Sequence, residues 1–187
     1  MGGLRVMLKG KIVGLTAIER SDIEQLRMWR NDTQLRKFFR EYRELNSDQQ
    51  KKWFEKIVIN DRQTIIMSIR SLNNKKLLGC CGLVYIDWIH RHAELSIYIG
   101  YKNAYIDKIG YAEESCILLL KYGFKELGLN KIYSEIYEFD KQKKVLFEKL
   151  GFQKDGILRK NYFYEGRWWN SMIYSILKEE MLKKDEK

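Results

Sequence analysis

The 187-residue chain is 45% hydrophobic and 13% aromatic, which suffices for one compact domain that needs no covalent cross-links. Its formal net charge of +10 at pH 7 favours an anionic partner: a nucleic acid, an acidic protein or a polyphosphate ligand. Three cysteines lie in apolar runs without metal-ligand spacing, and no apolar run reaches the roughly 18 residues of a membrane span, so we expect a cytoplasmic protein without a bound metal or a membrane partner.

The first half of the chain predicts a strand, two helices and a hairpin, in that order. Residues 11–19 alternate loosely between apolar and polar, as in a strand. The sequences SDIE at 21–24 and SDQQ at 47–50 have the form of capping boxes and predict two helix starts. Residues 64–72 and 77–87 are apolar and β-branched runs separated by two asparagines, which indicates an antiparallel hairpin.

Strand and helix patterns alternate through the second half of the chain. They predict a strand, a helix, a strand, a helix and a hairpin at Ala93–Gly100, Gly110–Leu127, Lys131–Tyr137, Lys141–Leu150 and Asn161–Trp169. An early hairpin followed by two strand–helix units gives an α/β domain with a mixed sheet. We expect one domain over residues 1–177 and a charged tail over residues 178–187.

The loop before the longest predicted helix, Tyr105–Ala112, is the best candidate for a ligand site. A glycine there lets the backbone approach a ligand, and the free N–H groups of the first helical turn suit a pyrophosphate. The alternative is that Gly110 and Ala112 only permit close packing of the helix on a strand, and a short glycine motif cannot decide between the two.

Four segments together resemble the GCN5-related N-acetyltransferases (GNAT), and most of all their ribosomal-protein-alanine and spermidine acetyltransferases. They are LRMWRND at Leu26–Asp32, HRHAELSIYIG at His90–Gly100, IGYAEES at Ile109–Ser115 and LFEKLGF at Leu146–Phe152. The resemblance spans roughly residues 15–177. It implies a mixed, mostly antiparallel central sheet with splayed strands flanked by helices. It also implies acetyl-CoA as co-substrate, with no metal.

The resemblance also implies where coenzyme A binds. The family loop Q/R-x-x-G-x-G/A matches residues 107–112, where Gly110 and Ala112 fit. Asp107 puts an acid at the first position, which should repel phosphate unless Lys108 turns inward to compensate. The implied coenzyme-binding residues are Leu95, Ile97, Ile99, Asp107, Lys108, Ile109, Gly110, Tyr111, Ala112, Asp140, Lys143 and Phe147.

Two of these positions differ from the family pattern. Relatives often have an asparagine where this chain has Asp140 and a tyrosine where it has Phe147, and that tyrosine can protonate the departing thiolate. Because Phe147 has no proton to give, three outcomes stay open. Coenzyme A leaves as the thiolate, Tyr105 or water supplies the proton, or acyl transfer is weak.

Glu94 is the candidate general base, because it begins the strand beside the expected thioester and an amine must lose a proton to react. The amine is expected to attack the thioester directly in a ternary complex. The alternative is that Glu94 merely pairs with His90, Arg91 or His92 at the edge of the sheet.

The resemblance implies an acceptor pocket that mixes aromatic and acidic side chains, which suit an ammonium group. The implied residues are Trp29, Arg30, Asn31, Glu41, Tyr42, His90 and Tyr164. The alternative for Trp29 is a purely structural place in the core. A protein N-terminus, an amino sugar or another small amine is the expected acceptor, and the net charge of +10 disfavours a polycation such as spermidine.

A second class of function also stays open: a non-catalytic module that senses acyl-CoA or associates with nucleic acid. The sequence contains no zinc knuckle, recognition-helix signature or RNA-binding aromatic motif, so we expect no nucleic-acid partner. A homodimer is left open.

Overall fold

The computed structural model describes the backbone of residues 5–185 and the side chains of residues 5–181. Eight strands form one open sheet in the order β1-β2-β3-β4-β5-β6-β8-β7. The strands are β1 (Leu8–Lys9), β2 (Val13–Ala17), β3 (Ile65–Ser71), β4 (Leu77–Asp87), β5 (His92–Ile99), β6 (Lys131–Tyr137), β7 (Gln153–Tyr164) and β8 (Arg167–Leu177). Strands β5 and β6 are parallel, and the other neighbouring pairs are antiparallel.

Five α-helices flank this sheet: α1 (Ile23–Asn31), α2 (Ser47–Trp53), α3 (Tyr111–Lys121), α4 (Lys141–Leu150) and α5 (Lys178–Asp185). Helices α3 and α4 pack on one face, and α1 packs on the other beside Phe54, the residue that follows α2. Successive side chains of β5 point to opposite faces of the sheet. Ile97 therefore packs in the core that contains α3 and α4, and Tyr98 packs in the core that contains α1. The predicted mixed α/β class is confirmed.

Both predicted capping boxes are wrong in register. The box at α2 consists of Asn46 and Gln49, whose side chains accept from each other's backbone N–H at 2.8 and 2.9 Å. The box before α1 consists of Glu19 and Asp22. A cap residue needs an extended backbone, which Asn46 has (φ −82°, ψ 170°), whereas Ser47 already belongs to the helix.

Predicted and observed elements agree closely in the second half of the chain. Strand β6 and helix α4 have the predicted bounds. Helix α3 begins at Tyr111 because Gly110 adopts φ 107°, a left-handed conformation that precedes the helix and suits glycine. The last turns of the predicted helix form a wider π-helical segment, Tyr122–Glu126.

Strands β5 and β6 diverge after a short parallel contact, and this divergence positions the site. They pair only from His92 to Glu94 of β5. Beyond that point the Ser134 hydroxyl donates to the Leu95 carbonyl at 3.0 Å, and the rest of β5 leaves β6. The splayed strands that the resemblance implied are therefore present.

The described part of the predicted tail is helix α5, whose Met181 is 8% exposed and packs against the main core. Residues 186–187 of that tail lie outside the described residues. Within residues 5–185, no helix combines the length and apolar character needed to cross a membrane.

Candidate active site

A cleft of about 300 Å³ opens where β5 and β6 diverge, on the side of the sheet that carries α1. Side chains from β5, β6, the start of α4 and the connection between α1 and α2 form its walls. The polar and aromatic residues that line it are Arg30, Phe38, Phe39, Arg40, Trp53, Asp61, Thr64, Tyr85, Glu94, Ser96, Tyr105, Glu135, Tyr137, Asp140 and Lys143.

Glu94 lies in this cleft and is only 6% exposed. Its carboxylate accepts from one Arg40 nitrogen at 2.7 and 3.0 Å, and the same nitrogen donates to Glu135 at 2.9 Å. Burial opposes the charge on Arg40, but Glu94 and Glu135 outweigh burial and raise the guanidinium pKa above its ordinary value. The structure therefore pairs Glu94 with an arginine that the sequence did not single out.

The two histidines considered as partners of Glu94 interact with Asp87 instead. His90 Nδ1 lies 3.0 Å from an Asp87 oxygen, and His92 Nε2 lies 3.9 Å from the same oxygen. The Asp87 carboxylate also accepts from two backbone N–H groups of the turn, at His90 and Ile89. These hydrogen bonds, led by the backbone N–H of His90, lower the Asp87 pKa to about 2.

A second polar group, Tyr105, Asp140 and Lys143, faces the cleft at the start of α4. Asp140 caps α4 by accepting from the Lys143 N–H at 3.0 Å, and its other oxygen accepts from the Tyr105 hydroxyl at 2.5 Å. Burial raises the pKa of Asp140 and, together with the Asp140 charge, that of Tyr105. Burial lowers the pKa of the half-buried Lys143 ammonium, which donates to the Glu135 carbonyl at 3.2 Å. Phe147, one turn further along α4, is fully buried in the core.

The backbone of β5 offers one pair of hydrogen-bonding groups to the gap between the strands. Leu95 already accepts from Ser134, and Ile99 exchanges two backbone bonds with Tyr105 at 2.7 and 2.8 Å. Alternate residues of a strand direct their N–H and C=O to the same edge, so Ile97 faces the gap between these two. This narrows the expected backbone pairing of a pantetheine arm from Leu95–Ile99 to Ile97.

At the N-terminus of α3, the Asp107 carboxylate occupies an anion-binding loop. It accepts from the backbone N–H groups of Gly110, Tyr111 and Ala112 at 2.7, 3.0 and 2.8 Å. Lys108 beside it is exposed and does not turn inward. We expected Asp107 to act on phosphate by repulsion, but its carboxylate is also a direct competitor for the same N–H groups.

Of the seven acceptor residues expected from the sequence, Arg30 alone lines the cleft. Trp29 packs in the core against Tyr98. The others make local contacts or are exposed. Asn31 hydrogen-bonds the backbone of Leu45, and Glu41 pairs with Arg43. Tyr42 is 79% exposed, His90 contacts Asp87, and the Tyr164 ring contacts the Phe139 ring at a tilt.

Sequence reasoning missed three prominent cleft residues: Arg40, Glu135 and Tyr137. Arg40 lies within the segment expected to contact the acceptor, directly before Glu41, but its charge alone did not indicate a place in the site. Glu135 and Tyr137 lie on the predicted strand Lys131–Tyr137, where strand alternation places them on the same face. That alternation was the one usable signal.

Comparisons with known proteins identify the family of this chain. A sequence model of the acetyltransferase (GNAT) domain matches residues 13–153. Spermidine N(1)-acetyltransferase of Vibrio cholerae is 26% identical over 174 residues, which are 92% of this chain and 96% of that protein. The uncharacterized N-acetyltransferase YoaA of Bacillus subtilis is 30% identical over 121 residues, 63% of this chain and 65% of YoaA.

Among solved structures, spermidine N-acetyltransferase from Vibrio cholerae in complex with CoA and spermine superposes with a TM-score of 0.84. It is 26% identical, and the superposition covers 92% of this chain and 99% of that one. The chain belongs to the GNAT acetyltransferases. The predicted family, fold class, acetyltransferase class and acetyl-CoA co-substrate are thereby confirmed.

Proposed function

We propose that this protein transfers the acetyl group of acetyl-CoA to a small primary amine bound in the cleft, with Glu94 as general base. The observation that carries the proposal is the position of Glu94, a buried carboxylate on the cleft wall at the point where β5 and β6 diverge. The volume of about 300 Å³ suits a small amine.

Acetyl-CoA, when bound, supplies an acetyl thioester to the attacking amine. The backbone of Ile97, which faces the gap between β5 and β6, suits the pantetheine arm of the coenzyme. The N–H groups of residues 110–112 suit its pyrophosphate, because they already bind a carboxylate. Asp107 must leave those N–H groups before a pyrophosphate can take its place. The remaining residues expected to contact the coenzyme stay predictions.

Glu94 orients the amine and takes its proton as the amine attacks the thioester carbon. A new C–N bond forms, the C–S bond breaks, and coenzyme A leaves as a thiolate or thiol. Arg40 holds the Glu94 carboxylate where an ammonium would bind, so the acceptor must displace part of this ion pair. Tyr105, whose hydroxyl donates to Asp140 on the cleft wall, is the proposed proton donor to the thiolate, since Phe147 is buried and has no acidic proton.

The test has two stages. Calorimetric titration with acetyl-CoA, and with coenzyme A beside it, should give saturable binding; no binding at millimolar ligand would favour a non-catalytic module. Amine-dependent thiol release, followed with a panel of small amines, then measures turnover. A protein N-terminus as acceptor, a homodimer and a cytoplasmic location stay predictions from the sequence.

A further inference from the structure

A recess of about 100 Å³ extends from the cleft between α1, α2 and the face of β4 and β5. Arg30, Phe39 and Ser96 line both spaces, so the recess is continuous with the cleft that contains Glu94. The residues that line the recess but not the cleft are mostly apolar, and they include Gln50 of α2. A small group of a bound molecule can therefore reach the recess from the cleft.

Two residues that line the recess each have a buried side-chain nitrogen without a hydrogen-bond partner among residues 5–181. Gln50 is 2% exposed, and its side-chain nitrogen Nε2 has no partner. The Nε atom of Arg30 is in the same condition. Buried donors nearly always have partners, because an unmet donor loses its water without compensation. Two such donors on one recess indicate a ligand that brings oxygen atoms to them.

The recess is also positively charged. Arg30 forms no ion pair within the described residues, and its guanidinium lies 5.0 Å from the centre of the Phe39 ring. Glu41 interacts with Arg30 through its charge, but its carboxylate accepts hydrogen bonds from Arg43 at 2.9 and 3.0 Å. Burial raises the pKa of the neighbouring Cys80 thiol to about 12, so this thiol stays neutral at pH 7.

The carboxylates of Glu94 and Glu135 line the cleft but not the recess. The space therefore has an acidic end for an amine and a donor-rich end for an anion. We propose that the recess binds the carboxylate of a small amino-acid acceptor whose primary amine lies at Glu94. This inference rests on the proposed acetyl transfer. A linear polyamine has no oxygen for Gln50 and no anionic group to pair with Arg30.

Matched pairs of ligands test the proposal through binding alone. Lysine and cadaverine differ only in the carboxylate, as do ornithine and putrescine, and lysine amide removes the negative charge but keeps an oxygen. Calorimetry in the presence of coenzyme A without its acetyl group should show lysine or ornithine binding at least about tenfold more tightly than its diamine. Lysine amide should fall between lysine and cadaverine.

Two variants locate the effect. Arg30→Gln and Gln50→Leu should each remove most of the preference for the carboxylate. Arg30→Lys should retain part of it, because the charge remains while the planar donor group is lost. Gln25→Ala, at an exposed position on the same helix as Arg30, is the matched control and should leave the preference unchanged. Melting curves identify any variant that fails to fold. If Arg30→Gln or Gln50→Leu does not fold, the carboxylate preference of Arg30→Lys is compared with that of the parent protein instead.

Diamines that bind as tightly as the amino acids would overturn the proposal. A preference that survives both variants, or the absence of binding by all five ligands, would also overturn it. Turnover separates this inference from the proposed function. Carboxylate-dependent binding without any acetyl transfer would refute the enzymatic proposal and leave the recess supported. Transfer to diamines without a carboxylate preference would support the enzyme and refute the recess.

Discussion

The proposed coenzyme site and the proposed acceptor site are each occupied by a side chain of the protein itself. At the start of α3, the Asp107 carboxylate takes three backbone N–H groups that suit a phosphate. In the cleft, the Arg40 guanidinium lies between two carboxylates that suit an ammonium. Both contacts satisfy local charge in the free protein, and on the proposed function each is displaced by a ligand group of the same charge as the side chain.

The two contacts differ in how firmly the chain holds them. Asp107 is a short side chain three to five residues from its partners, so its contact forms whenever the loop folds. Arg40 is a long side chain, 47% exposed, which reaches partners 54 and 95 residues away. We infer that rotation of the Arg40 side chain is enough to free the proposed acceptor site. The proposed coenzyme site becomes free only when Asp107 breaks its hydrogen bonds to the N–H groups of its own loop.

The largest effect should come from Glu94→Gln. Loss of the base is expected to lower kcat at saturating amine by about 10²- to 10³-fold, measured by thiol release. Glu135→Gln is the matched control, since it removes the other carboxylate that contacts Arg40 and leaves Glu94 in place. Unchanged turnover in Glu94→Gln, or an equal loss in both variants, would contradict the role of Glu94.

Asp107→Gln should strengthen acetyl-CoA binding and weaken the free protein. A capping carboxylate contributes about 1 kcal/mol to a helix, so its removal should lower the unfolding free energy by about that amount and improve the acetyl-CoA Kd about fivefold. Calorimetry and denaturant unfolding measure the two changes. Asp48→Asn, an exposed acid in the first turn of α2, should leave the Kd unchanged. Weaker acetyl-CoA binding would mean that Asp107 does not compete with the coenzyme.

Arg40→Gln should act on the amine alone. Solvent reaches about half of the Arg40 side chain and screens its attraction to the buried Glu94. Removal of the competing guanidinium should therefore lower KM for the amine by about two- to fivefold and leave acetyl-CoA affinity unchanged. Arg43→Gln provides the comparison, because Arg43 pairs with Glu41 outside the cleft. A higher KM in Arg40→Gln would show that Arg40 assists the acceptor.

The smallest effect concerns Asp140 and pH. Burial raises the Asp140 pKa above its ordinary value of 3.8, so the folded protein keeps this proton to higher pH than the unfolded chain does. Stability contributed by this group is therefore lost as the pH rises above about 4. Asp140→Asn removes the titration, and its melting temperature relative to the parent protein should be higher near pH 7 than near pH 4. No change with pH would contradict the raised pKa.

Local patterns predicted the elements better than they predicted the site. The bounds of β6 and α4 follow from periodicity within each segment, and Gly151 ends α4 in a left-handed conformation that glycine tolerates. The capping boxes were wrong by one and two residues because several neighbouring Ser, Asn, Asp and Glu residues can each cap a helix. The backbone conformation chooses among them, and the tertiary structure fixes that conformation.

The acceptor side shows the limit most clearly. Arg30 was identified from the sequence, but its buried companion Gln50 gave no signal, because a glutamine on a predicted helix normally faces solvent. The sequence did not predict that Arg40 pairs with Glu94 either. Ion pairs between residues far apart in the chain depend on which strands are neighbours, and charge by itself does not specify a partner.

The sequence by itself determined the class of fold, the order of the elements and the family, because these depend on periodicity and on motifs contained in short segments. The tertiary structure decided that Asp107 binds its own loop, that Arg40 bridges Glu94 and Glu135, and that Arg30 and Gln50 face one recess. The physical reason is that burial and pairing are properties of the assembled sheet and helices, where residues distant in the chain first come into contact.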